Sequence, residues 1–346
     1  MGRTRGRNRV TMPGAPNRIG LAVVLAVMGF LPAACDEGSP STLDSRGPGA
    51  ARIESLWWLM LWISVVAMAV VLGFLIFAFV KGRRADAVAD HRARWGEPFI
   101  VVAGVIIPAV ILTAVFALSL RDMAALAQPD EPASMTIEIV GHDWWWEARY
   151  DGGEIVTANE IHMPAGQPVR VELTTDDVLH SFWVPQLQAK TDTVPGRVNH
   201  TWLEADKPGR YRGQCAEFCG LQHAKMAFFV VAQSPDDFDA WLEEQSQPAQ
   251  QPVDASARAG QGVFLNSTCS GCHAIEGTAA TADVGPDLTH LASRDTIAAG
   301  VLDNNRNNLE QFVSDPQSLK PGAIMPPTQL SSQELQALVD YLEQLE

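Results

Sequence analysis

The stretch GQCAEFCGLQHAKM at residues 213–226 places two cysteines, a glutamate, a histidine and a methionine within fourteen positions. Thiolate, thioether and imidazole ligands together suit copper better than magnesium, calcium or manganese, and zinc stays open because it also binds thiolates and imidazoles. A blue-copper site uses one cysteine, and a structural zinc site usually takes four cysteine or histidine ligands. Two thiolates can instead bridge two copper ions, each completed by one imidazole and one weaker ligand. The stretch therefore predicts a metal centre, with a copper pair favoured.

A copper pair needs a second histidine. The segment DDVLHSFWVP supplies His180, which lies thirty-five residues before Cys215 in a pattern typical of a strand or a strand end. On composition alone His142, His162 and His200 compete for this role, although such histidines more often lie at the surface or in hydrogen bonds. His180 is the predicted second imidazole.

The segment CSGCH at residues 269–273 is the pattern that attaches a c-type haem through two thioethers, with His273 as the proximal ligand. An iron that transfers electrons also needs a sixth ligand, and methionine raises its reduction potential. Met325, in PGAIMPP, is the only methionine after His273 in the sequence. A redox-active C-x-x-C is the alternative for this segment, and disulfides are the alternative for both cysteine pairs in an oxidising compartment.

The stretch from residue 177 to residue 226, with its C-x3-C-x3-H-x2-M spacing and upstream histidine, resembles the binuclear copper region of cytochrome c oxidase subunit II. The resemblance extends over the leader, the two apolar runs and the β-rich region, about two-thirds of the chain. It implies a cupredoxin β-sandwich and two copper ions. It also implies the ligands Cys215 and Cys219 as bridging thiolates, His180 and His223, the Met226 thioether, and the backbone carbonyl of Glu217.

The same resemblance gives roles to two further side chains. The Glu217 carboxylate is expected to reach a magnesium or manganese site shared with subunit I. Trp144, in GHDWWWEARY, matches the tryptophan through which electrons enter, although Asp143 and Trp145 depart from the glutamine and tyrosine usual in the family. Trp145 and Trp146 fit equally well as core or membrane-interface aromatics.

The end of the chain is similar to class I cytochromes c. The similarity rests on CSGCH, on GPDL at residues 285–288 and on the proline-rich loop around Met325, and it implies a haem c held by Cys269, Cys272, His273 and Met325. Phe264 and Tyr341 stand where the first and last helices of such domains pack together. Ser331 and Glu334 fit a capping box before a helix with one apolar face, so an all-α domain is expected here.

Two uncharged runs precede these sites, Leu56–Val80 and Pro98–Leu120. Each is long enough to cross a hydrocarbon core of roughly 30 Å, so a transmembrane helix hairpin is predicted. The connecting loop faces the cytoplasm by the positive-inside rule, since it contains Lys81, Arg83, Arg84, Arg92 and Arg94. Both sites then lie on the outer face of a bacterial plasma membrane. Glu97 at the start of the second run is either part of a proton-uptake path or a solvated boundary charge.

The first 34 residues have the composition of an export leader, with basic residues before an apolar stretch, and Cys35 follows as a candidate lipidation site. Removal of the leader's five arginines changes the formal net charge from −15 to −20. Such an acidic chain argues against nucleic-acid binding and favours basic soluble partners. The expected organisation is a leader at 1–34, a transmembrane hairpin at 53–122, an all-β cupredoxin sandwich at 123–242, a linker at 243–256 and an all-α cytochrome c domain at 257–346.

Together these features predict the electron-input subunit of a respiratory cytochrome c oxidase. Electrons would pass from cytochrome c or another external donor through haem c and the copper pair to the haem of subunit I, where oxygen is reduced to water. The expected partners are subunits I and III and the lipid bilayer. A copper-binding electron carrier outside an oxidase and a copper-delivery protein are the alternatives, and delivery would require an exchangeable metal.

Overall fold

The computed structural model describes residues 40–82 and 96–346. The predicted leader, the candidate lipidation site Cys35 and most of the basic loop between the two apolar runs therefore lie outside the described residues. Helix α1 spans Pro48–Gly82. The second apolar segment consists of α2 at Gly96–Val101, a π-helical turn at Val102–Ile106 and α3 at Ile107–Ala127.

Both helical segments are long and apolar enough to cross a membrane, with mean hydropathies of 2.9 and 2.8. The predicted uncharged runs lie inside them. The π-helical turn directly precedes Pro108 in the first turn of α3, where the missing proline N–H interrupts the regular hydrogen-bond ladder. Glu97 lies in the first turn of α2, where a negatively charged side chain stabilises the helix by interacting with its dipole. An ion pair of 2.9 Å joins Arg52, near the start of α1, to Asp130, which follows the end of α3.

The next region is a β-sandwich of two five-stranded sheets, in the orders β3-β2-β1-β5-β8 and β4-β10-β9-β6-β7. Its strands are β1 Thr136–His142, β2 Trp145–Tyr150, β3 Ile155–Ala158, β4 Glu160–Pro164, β5 Val169–Thr175, β6 His180–Trp183, β7 Thr191–Thr193, β8 Asn199–Leu203, β9 Gly209–Cys215 and β10 Ala227–Gln233. Alternate residues point into one core, where the rings of Trp146, Phe182 and Phe228 pack with centroids 4.5 to 5.6 Å apart.

The strand topology brings the predicted copper ligands to one end of the sandwich. β6 pairs with β9 so that Phe182 lies opposite Cys215, which brings His180 at the start of β6 near the end of β9. The turn between β1 and β2 carries Asp143 and Trp144 to the same region. A β-sandwich thus gathers residues that are far apart in the chain.

The connection expected at 243–256 begins within a helix and makes contacts with a folded domain. Helix α4, Pro235–Gln245, begins at the capping residue Ser234 and packs Trp241 against the imidazole of His162, with ring centroids 4.1 Å apart. Further along, the amide of Ala249 donates to the carbonyl of Glu276. The Gln/Pro/Ser-rich composition indicates surface exposure but carries no signal for these long-range contacts.

The last region is helical, with α5 Ala255–Asn266, α6 Arg306–Ser314, α7 Pro316–Leu319, α8 Ser332–Leu342 and a short β11/β12 ladder of Thr296–Ile297 and Leu302–Asp303. Helices α5 and α8 approach closely at Gly260, where a Cβ atom would lie only 1.9 Å from the carbonyl oxygen of Ala337. Phe264 and Tyr341 pack at this crossing, with ring centroids 6.2 Å apart. The predicted capping box at the start of α8 is confirmed.

Candidate copper and haem sites

The side chains of the predicted copper ligands, from His180 to Met226, converge in the sandwich. The sulfur atoms of Cys215 and Cys219 lie 3.7 Å apart. His180 Nδ1 lies 4.0 Å from the Cys215 sulfur, and His223 Nδ1 lies 3.7 Å from the Cys219 sulfur. The Met226 sulfur lies 3.8 Å from that of Cys219. Each imidazole therefore lies next to a different thiol.

The sixth expected donor completes the symmetry of the cluster. The carbonyl oxygen of Glu217 lies 3.2 Å from the Cys215 sulfur. Cys215 is thus accompanied by one imidazole and one weak oxygen donor, and Cys219 by one imidazole and one weak thioether. This donor set fits two copper ions that share the thiolates.

The backbone holds this cluster through contacts of its own. The amide of Cys215 donates to the carbonyl of Met226 at 2.9 Å and closes the ligand loop, while the amide of Ala216 donates to the carbonyl of Ser181. Gly220 has a φ of +114° within the loop, a conformation that side-chain-bearing residues rarely adopt. Cys215 and Cys219 are only 4% and 6% exposed. The site is therefore enclosed by the fold.

The protonation of the cluster suits metal binding. The hydrogen bond between the two sulfur atoms lowers the pKa of Cys215 against the effect of burial, with His180 contributing to the shift. The same hydrogen bond and burial raise the pKa of Cys219. The pair accordingly retains one proton, which a metal must displace to obtain two thiolates.

Asp177 orients the His180 ring, and sequence reasoning had not assigned it a role. Its carboxylate lies 2.8 Å from His180 Nε2, which leaves Nδ1 directed toward Cys215. The carboxylate also accepts hydrogen bonds from the amides of Asp143 and Val178. A carboxylate that holds the far nitrogen of a ligating histidine fixes the tautomer and the ring orientation. The signal was available locally, because an acidic residue three positions before His180 reaches the same strand end.

The competing histidines lie elsewhere. His142 stacks on Trp145, and His162 hydrogen-bonds Gln233 at 2.9 Å. His200 is about half exposed. Among the described residues, His180 alone of the four candidates reaches the cysteine cluster.

Trp144 and the Glu217 carboxylate make different contacts around the cysteine cluster. The indole N–H of Trp144 donates to the carbonyl of Cys219 at 2.8 Å, so this ring contacts a ligand residue directly. The Glu217 carboxylate points outward and pairs with Lys190 at 3.2 Å. Within the described part of the chain, no group of three or more potential metal-binding residues includes Glu217.

In the CSGCH segment, residues 269–271 form one 3-10 turn. The thiols of Cys269 and Cys272 are free and half-buried. His273 Nδ1 lies 2.7 Å from the carbonyl oxygen of Pro286, which leaves Nε2 available for iron. Burial lowers the pKa of His273, which favours the neutral imidazole that a metal requires. Gly285 lies against this ring, because a Cβ atom there would be 2.7 Å from His273 Cε1.

The loop that contains Met325 is held by side-chain hydrogen bonds. The side-chain amide of Gln317 donates to the carbonyls of Ala323 and Met325 at 2.7 and 2.9 Å. Val284 and Ile324, which neighbour the ligand segments, are 58% and 66% exposed. Two thiols, an available imidazole nitrogen and exposed apolar side chains together fit a covalently held haem.

Comparison with known proteins matches the two regions that contain these candidate sites. Residues 153–233 match the family described as cytochrome C oxidase subunit II, periplasmic domain, and residues 257–346 match cytochrome c. Cytochrome c oxidase subunit 2 of Alkalihalophilus pseudofirmus is 37% identical over 325 residues, covering 91% of this chain and 94% of the relative. The chain belongs to the cytochrome c oxidase subunit 2 family.

Other relatives extend the comparison. The cytochrome c oxidase subunit 2 of Bacillus subtilis is 30% identical over 347 residues, covering 94% of this chain and 97% of the relative. The crystal structure of the periplasmic domain of subunit II of the Bradyrhizobium japonicum cytochrome oxidase is 33% identical, covers 33% of this chain and 95% of that one, and has a TM-score of 0.32. The predicted family and fold class are confirmed. This member of the cytochrome c oxidase subunit 2 family has a cytochrome c domain at residues 257–346 and two helical segments that are long and apolar enough to cross a membrane.

Proposed function

We propose that this chain is the electron-input subunit of a respiratory cytochrome c oxidase. Electrons from cytochrome c or another external donor would reach subunit I through haem c and a binuclear copper centre, and oxygen would be reduced to water on subunit I. The observation that carries this proposal is the paired donor set, in which each of two buried thiols has its own imidazole and its own weaker ligand.

When bound, the copper pair and haem c supply one-electron redox chemistry, and the chain supplies their surroundings. Cys215 and Cys219 would supply thiolate ligands to the copper pair, and Asp177 keeps the His180 ring in place. Cys269 and Cys272 would tether the porphyrin, with His273 and Met325 on the iron. Burial of the copper ligands excludes water and disfavours exchange, which argues against a copper-delivery role.

The membrane arrangement follows from the two apolar helical segments. We propose that both cross the plasma membrane and that the copper and haem domains lie on the outer face, with subunits I and III packed against the helices. The outward Glu217 carboxylate is 39% exposed, so it could join a magnesium or manganese site completed by subunit I. The acidic composition suits a basic donor such as a cytochrome c.

The test is metal and haem analysis of the purified oxidase. Two copper atoms in this subunit for each covalent haem c, together with the spectrum of a mixed-valence copper pair, are expected. One copper atom per haem in the subunit, or zinc in its place, would overturn the copper assignment. Copper and haem in a subunit that does not co-purify with a haem-copper subunit I would favour a separate electron carrier.

A further inference from the structure

The cytochrome domain lies against the copper domain, and a buried carboxylate crosses the boundary in one direction. Glu160 of β4 is 3% exposed. Its oxygens accept hydrogen bonds from the amides of Asp295 and Thr296 at 3.0 and 2.9 Å and from the Thr296 hydroxyl at 2.8 Å. Arg210 of the copper domain adds a 3.0 Å ion pair. Three of these four donors belong to the cytochrome domain.

A buried ammonium group crosses the same boundary in the other direction. Lys320 of the cytochrome domain is 4% exposed. Its Nζ donates to the carbonyl of Trp144 in the copper domain at 3.1 Å and to the carbonyl of Ala298 at 3.2 Å. Each domain therefore buries one charge whose hydrogen-bond partners include backbone groups of the other. Separation would remove those partners from both charges.

The loop around His223 and the loop before Met325 are joined directly by hydrogen bonds. Gln222 donates to the carbonyl of Pro321, and Lys225 Nζ donates to the carbonyl of Leu319 at 2.6 Å. Gln222 and Lys225 flank the copper-ligand candidate His223, and Pro321 precedes the haem-ligand candidate Met325 by four residues. The loop that carries the haem methionine is thus attached to the loop that carries the copper ligands.

The backbone at the boundary has an unusual conformation. Ala298 and Ala299 have φ values of +57° and +59°, which non-glycine residues seldom adopt. The carbonyl of Ala299 accepts a hydrogen bond from the amide of Ala227, and its side chain packs with Trp145 of the copper domain. Such a conformation persists where its surroundings determine it. Here the copper domain supplies part of those surroundings.

We propose that Glu160 and Lys320 form a reciprocal charge lock that keeps the cytochrome domain permanently docked on the copper domain. Residues 246–254 then connect two parts of one rigid unit and do not act as a tether. In this arrangement Lys320 of the cytochrome domain covers the Trp144 carbonyl. A consequence that rests on the proposed function is that an external donor delivers electrons to the haem first. Transfer from haem to copper then occurs over a fixed distance.

The lock is tested by hydrogen–deuterium exchange of the intact oxidase, with mass spectrometry of peptides covering residues 294–300 and 318–324. Slow exchange is expected in the wild type. Glu160→Gln places an amide N–H₂ against an N–H donor, and Lys320→Met removes the cation, so each should accelerate exchange at least tenfold in both peptides. Wild-type exchange rates in both variants, or unprotected amides in the wild type, would overturn the lock.

Matched controls separate the lock from a general change in charge. Glu172→Gln changes a half-buried side chain that pairs with Arg170 and His200, and Lys207→Met changes an exposed one; both belong to the copper domain and should leave exchange unchanged. Absorption spectra of haem c and copper establish that every variant is folded and loaded. Lys320→Arg keeps a cation with several donors and should restore at least part of the protection.

The electron-transfer consequence has a separate readout. After rapid photoreduction of haem c in the oxidase, the rate of copper reduction should be independent of solvent viscosity in the wild type and should become viscosity-dependent in Lys320→Met. A viscosity-dependent wild-type rate would reject permanent docking while leaving the proposed function intact. Protected peptides without any copper reduction would reject the proposed function while leaving the lock intact.

Discussion

The candidate copper and haem sites of this chain are built in different ways. The candidate copper ligands lie at strand ends and in a loop closed by backbone hydrogen bonds, and the sandwich encloses them. The candidate haem ligands lie on turns, with half-buried thiols and exposed apolar neighbours at Val284 and Ile324. From this difference we infer that the sandwich forms its site from its own core, whereas a cofactor would complete the core of the cytochrome domain.

The two hydrophobic cores support this contrast. The sandwich buries large aromatic side chains at its centre, including Trp146, Tyr150, Phe182 and Phe228. The described core of the cytochrome domain is smaller and contains Phe264 and Tyr341 as its large rings. A domain of about ninety residues buries a smaller fraction of its surface than a larger one, so a haem at its centre would add a substantial share of the apolar contact.

The largest expected effect follows from removal of the haem attachment. In a Cys269→Ala/Cys272→Ala variant we expect complete loss of covalent haem and at least tenfold faster proteolysis within residues 257–346, because the domain loses its central apolar group. The copper spectrum should remain. Ser270→Ala is the matched control, since it changes the same turn and keeps both thiols. Equal protease resistance with and without haem would contradict the contrast between the domains.

The second effect is confined to the copper site. Cys219→Ser should reduce the copper content of the subunit from two atoms to one or none and abolish the mixed-valence spectrum, because one bridging thiolate is lost. The sandwich should stay folded, with a thermal midpoint within a few degrees of the wild type, since its aromatic core is unchanged. Metal analysis and calorimetry of the variant oxidase measure both. Unfolding of the sandwich would show that the metal is part of its core.

Local signals explain why the sequence could indicate which candidate copper ligands converge. Five of the expected copper donors fall within residues 215–226, and three of the four haem ligands fall within CSGCH. Spacing alone therefore indicates their proximity. The boundary between the domains had no such signal, because Lys320 and Trp144 are 176 positions apart and neither residue type marks an interface. For the same reason the polar composition of residues 243–256 indicates a linker but not its contact with Glu276.

The third prediction concerns tuning of the haem site. Met325→His should keep the haem attached through Cys269 and Cys272 while lowering its reduction potential and slowing electron transfer to copper, because methionine ligation raises the potential relative to histidine. Redox titration followed at the haem absorption band measures the shift. Loss of covalent haem, or an unchanged potential, would contradict the assignment of Met325.

The smallest expected effect sharpens the contrast at the copper site, where a residue that binds no metal orients one that does. Asp177→Asn keeps the shape of the side chain and removes the charge that faces His180 Nε2. We expect copper affinity to fall about 10- to 100-fold, which corresponds to about 1.4 to 2.8 kcal/mol. Competition with a copper chelator measures the loss. Asp176→Asn is the control, because that neighbouring carboxylate is largely exposed and faces His142.

The same substitution predicts a pH dependence in the copper-depleted protein. Burial alone would lower the pKa of His180, but hydrogen bonds to Asp177 and Cys215 outweigh it and raise the pKa to about 9. Because the folded-state pKa exceeds the unfolded value of about 6.5, the resulting stability is complete below about pH 6.5 and is lost as the pH rises through 9. The difference in thermal midpoint between wild type and Asp177→Asn should therefore shrink across this interval. A difference that stays constant from pH 6 to pH 9.5 would show that Asp177 acts on His180 by position alone and not through its charge.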